Sequence, residues 1–262
     1  MTRNLLATLL SLLCVTTALA AKPEPLRILS YNIHHGEGVD GKLDLPRIAD
    51  VIKSAAPHLV LLQEVDRNTA RTGNVDQAAE LGKLTGMEVA FGGNLRLGKG
   101  DYGNAILSRF PLREVKNYSL PNLTNGETRG VLSATVQVPS TTEDETILIL
   151  ATHLDHRTGE ADRLASIDFL RQLVGEREQV TIIGGDFNAT LESAVLKKFQ
   201  EHWALANVME KPTFPVAKPE RQIDFVGYRP MGRFQVGAVR VLEEAVASDH
   251  RPILVELLPS MR

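Results

Sequence analysis

Residues 180–189, Val-Thr-Ile-Ile-Gly-Gly-Asp-Phe-Asn-Ala, constrain the fold more than any other stretch of the chain. Val180, Thr181, Ile182 and Ile183 are all β-branched and three are apolar, which predicts a short buried strand. Gly184 and Gly185 are expected to end that strand and bend the backbone sharply. Asp186 and Asn188 follow, so a carboxylate and a carboxamide stand at the rim of a sheet, where a rigid scaffold can hold binding and catalytic groups. The same residue types also build turns and cap helices. Their meaning therefore rests on what the rest of the chain brings beside them.

Residues 1–20 read as a secretory signal. Arg3 supplies the positive start, Leu5 to Val15 the apolar core, and Ala18-Leu19-Ala20 a small-x-small cleavage site ahead of a domain spanning 21–262. The apolar run is short of the roughly 20 residues a membrane-spanning helix needs, so the mature chain is expected to carry no transmembrane segment. The one cysteine, Cys14, lies inside the leader. Stability of the mature chain must then come from its core, and about 240 residues can bury enough surface without disulfides. Losing Arg3 leaves 28 basic residues against 32 acidic, a net charge of −4. That balance argues against a strongly basic, non-specific nucleic-acid binder.

The opening pattern recurs along the chain. Leu26–Tyr31 reads as a strand that runs into Asn32. A helix capped by Asp44, with Ile48, Val51, Ile52 and Ala55 at helical spacing, closes at Pro57. Leu59–Leu62 is a continuous apolar strand ending in Gln63-Glu64. A helix over 76–84 and a strand over 88–91 precede a Gly/Lys/Arg-rich loop over 94–101. Strands are expected at 102–112, with Asn104 near its start, at 131–138 and at 146–151, with a surface turn at Glu143–Glu145. The strand at 146–151 ends in Thr152-His153. Helices follow at 160–176 and 191–204, the second holding Trp203, then a Pro-rich loop over 211–219. Strands at 222–226, 234–241 and 253–257 complete the chain, the last preceded by Ser248-Asp249-His250. No internal repeat or low-complexity linker divides it, so one domain is expected. His34 and His35 invite a zinc reading. Against it, no Cys or helical His pair accompanies them, and adjacent residues of a strand point to opposite faces.

Asn32, Glu64, His153, Asp186, Asn188, Asp224, Asp249 and His250 all fall at or beside predicted strand ends. Glu64, with water and phosphate oxygens, suits a hard cation such as Mg2+, which polarises a phosphoryl oxygen and stabilises a leaving oxygen. A carboxylate and carboxamide two positions apart can orient and deprotonate a water. A histidine opposite can supply a charged donor to the transition-state oxygens, its tautomer fixed by a second carboxylate. The chain has no Gly-x-Ser-x-Gly elbow, no His-Glu-x-x-His and no P-loop.

Taken in order, Tyr31-Asn32, Gln63-Glu64, Gly103-Asn104-Ala105-Ile106-Leu107-Ser108, Thr152-His153-Leu154, Gly185-Asp186-Phe187-Asn188, Ile223-Asp224 and Ser248-Asp249-His250-Arg251-Pro252 cover nearly all of residues 26–257. In these motifs the chain resembles the endonuclease/exonuclease/phosphatase family. The resemblance implies a DNase I-like α/β fold, a four-layer sandwich of two facing mixed β-sheets flanked by helices, and metal-dependent hydrolysis of a phosphate ester. It implies Glu64 as the main metal ligand, with Asn32 and Asp249 close to the metal. Asp186 would activate the attacking water and Asn188 position it. His153 would bind phosphate oxygens, and His250, held by Asp224, would act on the transferring phosphate. Asn104 would touch substrate. The cofactor implied is Mg2+, with Mn2+ or Ca2+ as alternatives.

Two positions depart from the family pattern. His34 stands where several nuclease branches carry Asp, and Gln222 where many members have Arg. Arg67, Arg71, Arg129 and Arg157 flank the motifs and are expected to ring the site as anion binders. These readings converge on an exported, monomeric Mg2+-dependent phosphoesterase acting on a phosphodiester or phosphomonoester of a small or lipid-linked substrate. The alternatives are a secreted nuclease of low specificity and a catalytically silent binding module on the same fold.

Overall fold

Residues 24–139, 145–175, 179–208 and 211–260 are described by a computed structural model. The leader read at 1–20 and most of the turn read at Glu143–Glu145 lie outside the described residues. The chain runs β1 (Leu26–Asn32), α1 (Leu45–Ala55), β2 (Leu59–Arg67), α2 (Gln77–Thr85), β3 (Glu88–Leu97), β4 (Gly100–Ser108), β5 (Arg113–Ser119) and β6 (Gly130–Val138). It continues through β7 (Glu145–His153), α3 (Ala161–Val174), β8 (Thr181–Asp186), α4 (Ala194–Gln200), β9 (Ala204–Leu205), β10 (Asp224–Arg229), β11 (Phe234–Val241) and β12 (Ile253–Pro259).

Alternation within the apolar runs decides the layers. Successive side chains of a strand point to opposite faces, so a continuous apolar run buries both. Ile28, Leu59, Leu61 and Ile106 pack against Leu132, Ile147, Ile149 and Ile182 in a core between two sheets. The alternate residues Leu29, Val60, Leu62 and Leu107 face Ile48, Ile52 and Leu81 of α1 and α2. On the far side Leu150, Ile183 and Phe225 face Leu170, Leu196 and Phe199 of α3 and α4. The result is the helix–sheet–sheet–helix sandwich, with each fully buried Leu or Ile contributing roughly 1.5–3 kcal/mol.

Each sheet has six strands, in the orders β11-β12-β1-β2-β4-β3 and β5-β6-β7-β8-β10-β9. Both are mixed: β1 and β2 are parallel and joined through α1, β7 and β8 are parallel and joined through α3, and the other pairings are antiparallel. Asp44 caps α1 by accepting from Arg47 N, and the helix ends on Ala56 in the left-handed region, immediately before Pro57.

Several sequence expectations change. The strand at 180–185 does not bend at its glycines but runs on to Asp186. Gly185 is required for space: a Cβ there would lie 1.8 Å from Thr152 O on β7. The loop expected over 94–101 is a hairpin whose two-residue turn, Gly98-Lys99, puts Gly98 at φ +62°, a conformation suited to tight hairpins. The segment 113–119, read as no element, is the edge strand β5; it is almost wholly exposed and so lacks the apolar signal that marks the others. The helix expected at 191–204 is shorter, starting after the Ser193 cap and ending at Gln200, with Trp203 beyond its end. The strand expected at 102–112 begins at Gly100 and stops at Ser108, short of Pro111.

Candidate active site

The carboxyl ends of the two parallel pairs meet. Asn32 closes β1, His153 closes β7 and Asp186 closes β8, while Asp224 opens β10 opposite Asp186. Ligands of α/β sheets gather at such strand ends. Glu64 reaches the same place through a bulge in β2, where the register with β4 shifts between Leu62 and Val65. Leu62 and Val65 both face the α1/α2 layer although they are three residues apart. The strand's parity therefore flips between them, and Glu64, at φ +59°, turns out of that layer. A non-glycine residue in the left-handed region within a strand stores strain of the kind found at functional sites.

Asn32 ties the two sheets together. Its Nδ2 donates to Glu64 Oε1 (3.0 Å) and lies 3.3 Å from Asp186 Oδ2, while its Oδ1 accepts from His34 N (3.1 Å). Because a backbone N–H must meet an oxygen, the amide's orientation is fixed. Asn32 Nδ2 thus orients the two carboxylates side by side, and its oxygen, with a second lone pair left, still faces the Glu64 corner as an electron-pair donor. Asp186 Oδ1 accepts from Asn188 N (2.8 Å), and Asn188, at φ +48°, donates Nδ2 to Leu154 O (3.1 Å).

Two histidines flank Asp186 Oδ2 in opposite charge states. His153 Nε2 is 3.5 Å away and His250 Nε2 3.6 Å. His153 is held well below the usual histidine range, first by burial and then by the charge of Arg129. Arg129 Nη1 stands 3.0 Å from His153 Nδ1. A guanidinium can only donate, so Nδ1 carries the lone pair and the proton is assigned to Nε2, 3.5 Å from Asp186 Oδ2; Asn188 Nδ2, 3.0 Å from the same Nε2, then directs its hydrogen bond to Leu154 O. His153 is a neutral donor, not the charged one expected of a histidine here. For His250, burial alone would lower the pKa, but the Asp224 carboxylate 2.9 Å from Nδ1, with Asp186 and Asp249, outweighs it and raises it to about 10. His250 is the charged donor. Asp186 is raised, by burial first and then by the charge of Asp224.

The Pro-rich loop seats this pair. Thr213 Oγ1 donates to Asp224 Oδ2, Val216 N to Asp249 O, and the Phe214 ring lies 4.7 Å from that of His250. Ser248 Oγ donates to Asn32 O (2.7 Å) and lies 3.4 Å from Asp249 Oδ1, tying partly buried Asp249 to the Asn32 corner. Thr213 and His156, which lies 3.0 Å from Arg129 Nη2, carried no sequence signal, being isolated polar residues in loops, whereas Ser248 lay within a motif but without a role assigned to it. Asn104 is buried with Nδ2 donating to Gly130 O (2.9 Å) and Oδ1 left without a protein partner.

The ring of four arginines does not form. Arg129 reaches the site, and Arg71 stands close enough to act on Glu64, clamped by Asp66 at 2.7 and 2.8 Å. Arg67 is engaged by Asp101 (2.9 Å) over the Phe91 ring. Arg157 is engaged by Asp155 (2.9 Å) and Asp162 (2.7 Å). Acidic neighbours within reach capture both.

A divalent cation fits the Glu64 corner. Glu64 and Asp249 offer oxygen donors of the kind hard cations take, and Glu64's charge is among those raising Asp186, a repulsion that a cation would relieve. Asp186, Asp224 and His250 also bring ligand atoms within 4.8 Å of one another. His250, however, is protonated with Nδ1 committed to Asp224, and a protonated imidazole does not ligate.

Two six-stranded sheets joined at a carboxylate–histidine centre match the sandwich that the sequence motifs imply, and comparison with known proteins places the chain in a family of that fold. The sequence model of the Endonuclease/Exonuclease/phosphatase family matches residues 29–250, and the chain belongs to that family. It is 26% identical over 249 residues to the Escherichia coli K12 protein YbhP, covering 88% of this chain and 95% of that one. Among solved structures it is similar to an endonuclease/exonuclease/phosphatase from Beutenbergia cavernae, with TM-score 0.76, 25% identity and coverage of 90% of this chain and 72% of that one. The fold also matches a mannosyl-6-phosphatase from Bacteroides thetaiotaomicron, with TM-score 0.71, 20% identity and coverage of 89% and 99%. The human Nocturnin catalytic domain with bound sulfate matches with TM-score 0.71, 20% identity and coverage of 90% and 94%.

Proposed function

We propose that the chain is an exported Mg2+-dependent phosphoesterase that hydrolyses a phosphodiester or phosphomonoester of a small or lipid-linked substrate. The observation that carries this reading is Asp186 set between neutral His153 and cationic His250, with Asn32 linking it to Glu64. Glu64 and Asp249 would hold the cation, which when bound supplies charge for a phosphoryl oxygen and the leaving oxygen. Asp186, its pKa raised toward neutrality, is matched to taking a proton from the attacking water. Asn188 braces it from the backbone. His153 donates Nε2–H and His250 a charged N–H to the phosphoryl oxygens, where preorganised donors stabilise developing charge. The new bond joins water oxygen to phosphorus, the ester P–O bond breaks, the water proton passes to Asp186, and the leaving oxygen takes a proton from solvent.

The negative net charge and the capture of Arg67 and Arg157 by carboxylates favour a small or lipid-linked ester over nucleic acid, whose backbone calls for several free cations. Export is supported by the leader features of residues 1–20. Among the described residues no helix is long and apolar enough to cross a membrane. The test is hydrolysis of a panel containing bis-(p-nitrophenyl) phosphate, sugar and inositol phosphates, sphingomyelin and plasmid DNA, with and without Mg2+. The expected result is Mg2+-dependent turnover lost in Glu64→Gln, with a small or lipid ester best. Plasmid as the best substrate would reverse the substrate assignment. A folded wild type inert on every member would favour a binding role.

A further inference from the structure

His34, His35 and Gly36 form a short turn between β1 and α1 in which all three residues have positive φ, +44°, +44° and +78°. Two consecutive non-glycine residues in the left-handed region are strained, so the surroundings must hold them there. Gln77 Nε2 donates to His35 O at 2.6 Å, and a Cβ on Gly36 would lie 3.0 Å from the Leu45 side chain and 3.1 Å from Gln77. The turn is built in, and it undoes the objection drawn from strand geometry. Instead of pointing to opposite faces, the two imidazole rings lie 4.5 Å apart.

Both rings are oriented by one residue, Glu37. His34 Nδ1 lies 3.1 Å from Glu37 O, so it must carry the proton that the carbonyl accepts, and the lone pair falls on Nε2. His35 Nε2 lies 3.5 Å from the Glu37 carboxylate, while its Nδ1 is buried without a partner. An imidazole whose N–H is taken by a carbonyl or carboxylate, leaving the other nitrogen bare, is the usual state of a metal-bound histidine. One ligand atom each of His34, His35 and Glu64 lies within 4.8 Å of the other two. The neighbouring cation, Arg71, is neutralised by its two hydrogen bonds to Asp66.

We infer that His34, His35 and Glu64 form a second cation position, taking an imidazole-seeking divalent transition ion of the Zn2+ type beside the proposed Mg2+ position. Two imidazoles and one carboxylate are a ligand set of open zinc sites, which keep one position for water or a phosphate oxygen. Imidazole suits Zn2+ and its neighbours in the transition series, whereas Mg2+ prefers oxygen alone. The inference deepens the phosphoesterase reading by sharing Glu64 with it, yet it stands or falls on metal binding and not on turnover.

The test uses chelator-treated full chain titrated with Zn2+ against a chromophoric chelator, and with Co2+ followed by its visible spectrum. It compares wild type with His34→Asn and His35→Asn, since asparagine tolerates the left-handed region. The expected result is a Zn2+ affinity at least on the order of 10-fold weaker in either variant, the scale on which even outer-shell changes act, with the cobalt spectrum altered. Zinc-edge absorption of the wild type should show imidazole scattering from two rings, a readout that survives even if a variant fails to fold. Zn2+ affinity and cobalt spectra equal in all three proteins, or a zinc edge without two imidazoles, would overturn the inference. Zinc loss in the variants without turnover on any ester would retain the site and reject the proposed activity; the converse would do the opposite.

Discussion

Replacing Arg129 with Met separates the charge state of His153 from its burial. Arg129 is only 6% exposed, and its two terminal nitrogens stand 3.0 Å from His153 Nδ1 and 3.0 Å from His156 Nδ1. Methionine keeps an apolar stem of similar reach and deletes the fork. The buried Nδ1 of His153 then loses its donor, which costs roughly 1–3 kcal/mol, or a few degrees of Tm in a domain of this size at about 2–4 °C per kcal/mol. The electronic consequence is separate. Burial, the larger cause of the lowered His153 pKa, remains, while the repulsion from Arg129 is gone, so the pKa should rise but stay below 6.5. The proton is also freed to move to Nδ1, taking the Nε2–H donor away from the site for part of the time. If that donor serves the phosphoryl oxygens, kcat should fall by up to about 100-fold, near the cost of losing one such donor, with KM moving less. Long-range 15N–1H correlation spectra of the imidazoles read the tautomer directly. Wild-type His153 should show a bare Nδ1 and a protonated Nε2, and the variant a mixture. A wild-type His153 protonated on Nδ1, or a variant with identical ring shifts, would refute the assignment.

Two further outcomes follow from the packing. In Gly185→Ala the new Cβ would lie 1.8 Å from backbone oxygen of Thr152, so β7 and β8 must separate. The expected loss is about 1–3 kcal/mol or more in urea unfolding, with activity falling because His153 and Asp186 end those strands; a loss below about 0.5 kcal/mol would deny the close approach. At His58, the neutral ring accepts Arg27 N on Nδ1 (3.1 Å), and burial first, then the charges of Arg27 and Arg109, lower its pKa. The unfolded chain then binds the extra proton below about pH 6.5, so stability should decline as pH falls through that value. His35 and His153, lowered likewise, act in the same direction, while His250 and Asp186, both raised, act in the opposite one. The His58 contribution is therefore read as a difference: the urea midpoint of metal-free wild type relative to His58→Asn should fall between pH 7.5 and 5.5, and an unchanged difference would remove His58 from the account.

Much of the fold was legible because its central strands are buried on both faces and so read as unbroken apolar runs, as in Leu59–Leu62 and Ile147–Ala151. The polar residues that the structure gathers at the candidate site were legible as types at strand ends. What stayed hidden depends on local backbone geometry. The bulge that frees Glu64 leaves no mark in Leu-Leu-Gln-Glu-Val, since parity flips without any change of hydrophobicity. The direction of the Asn32 amide is set by one N–H, that of His34, and the convergence of His34 and His35 by left-handed torsions that a strand reading excludes. Arg67 and Arg157 looked like anion binders because their carboxylate partners include Asp101, 34 residues away, and Asp162, brought in by the start of α3. β5 was lost because an exposed edge strand buries too little to show a pattern.

The absence of a sequence repeat concealed a repeat of topology. Each sheet is built on a parallel pair joined by a helix and flanked by antiparallel strands: β12-β1-β2-β4 in one, β6-β7-β8-β10 in the other. Asn32 faces Gln63 across the first pair as His153 faces Asp186 across the second. The first pair therefore offers an amide where the second offers a histidine. Its carboxylate, Glu64, comes one residue later than the matching Asp186 and needs the bulge to arrive. That one-residue offset has a chemical consequence. It leaves Glu64 partly exposed, with the amide of Asn32 and not a histidine closing the neighbouring strand, and open to cations, while Asp186 is buried between two imidazoles and drawn toward proton transfer. Equivalent scaffold positions thus hold one carboxylate open to solvent and cations and one buried with a raised pKa, and burial and neighbours, not residue type, set them apart.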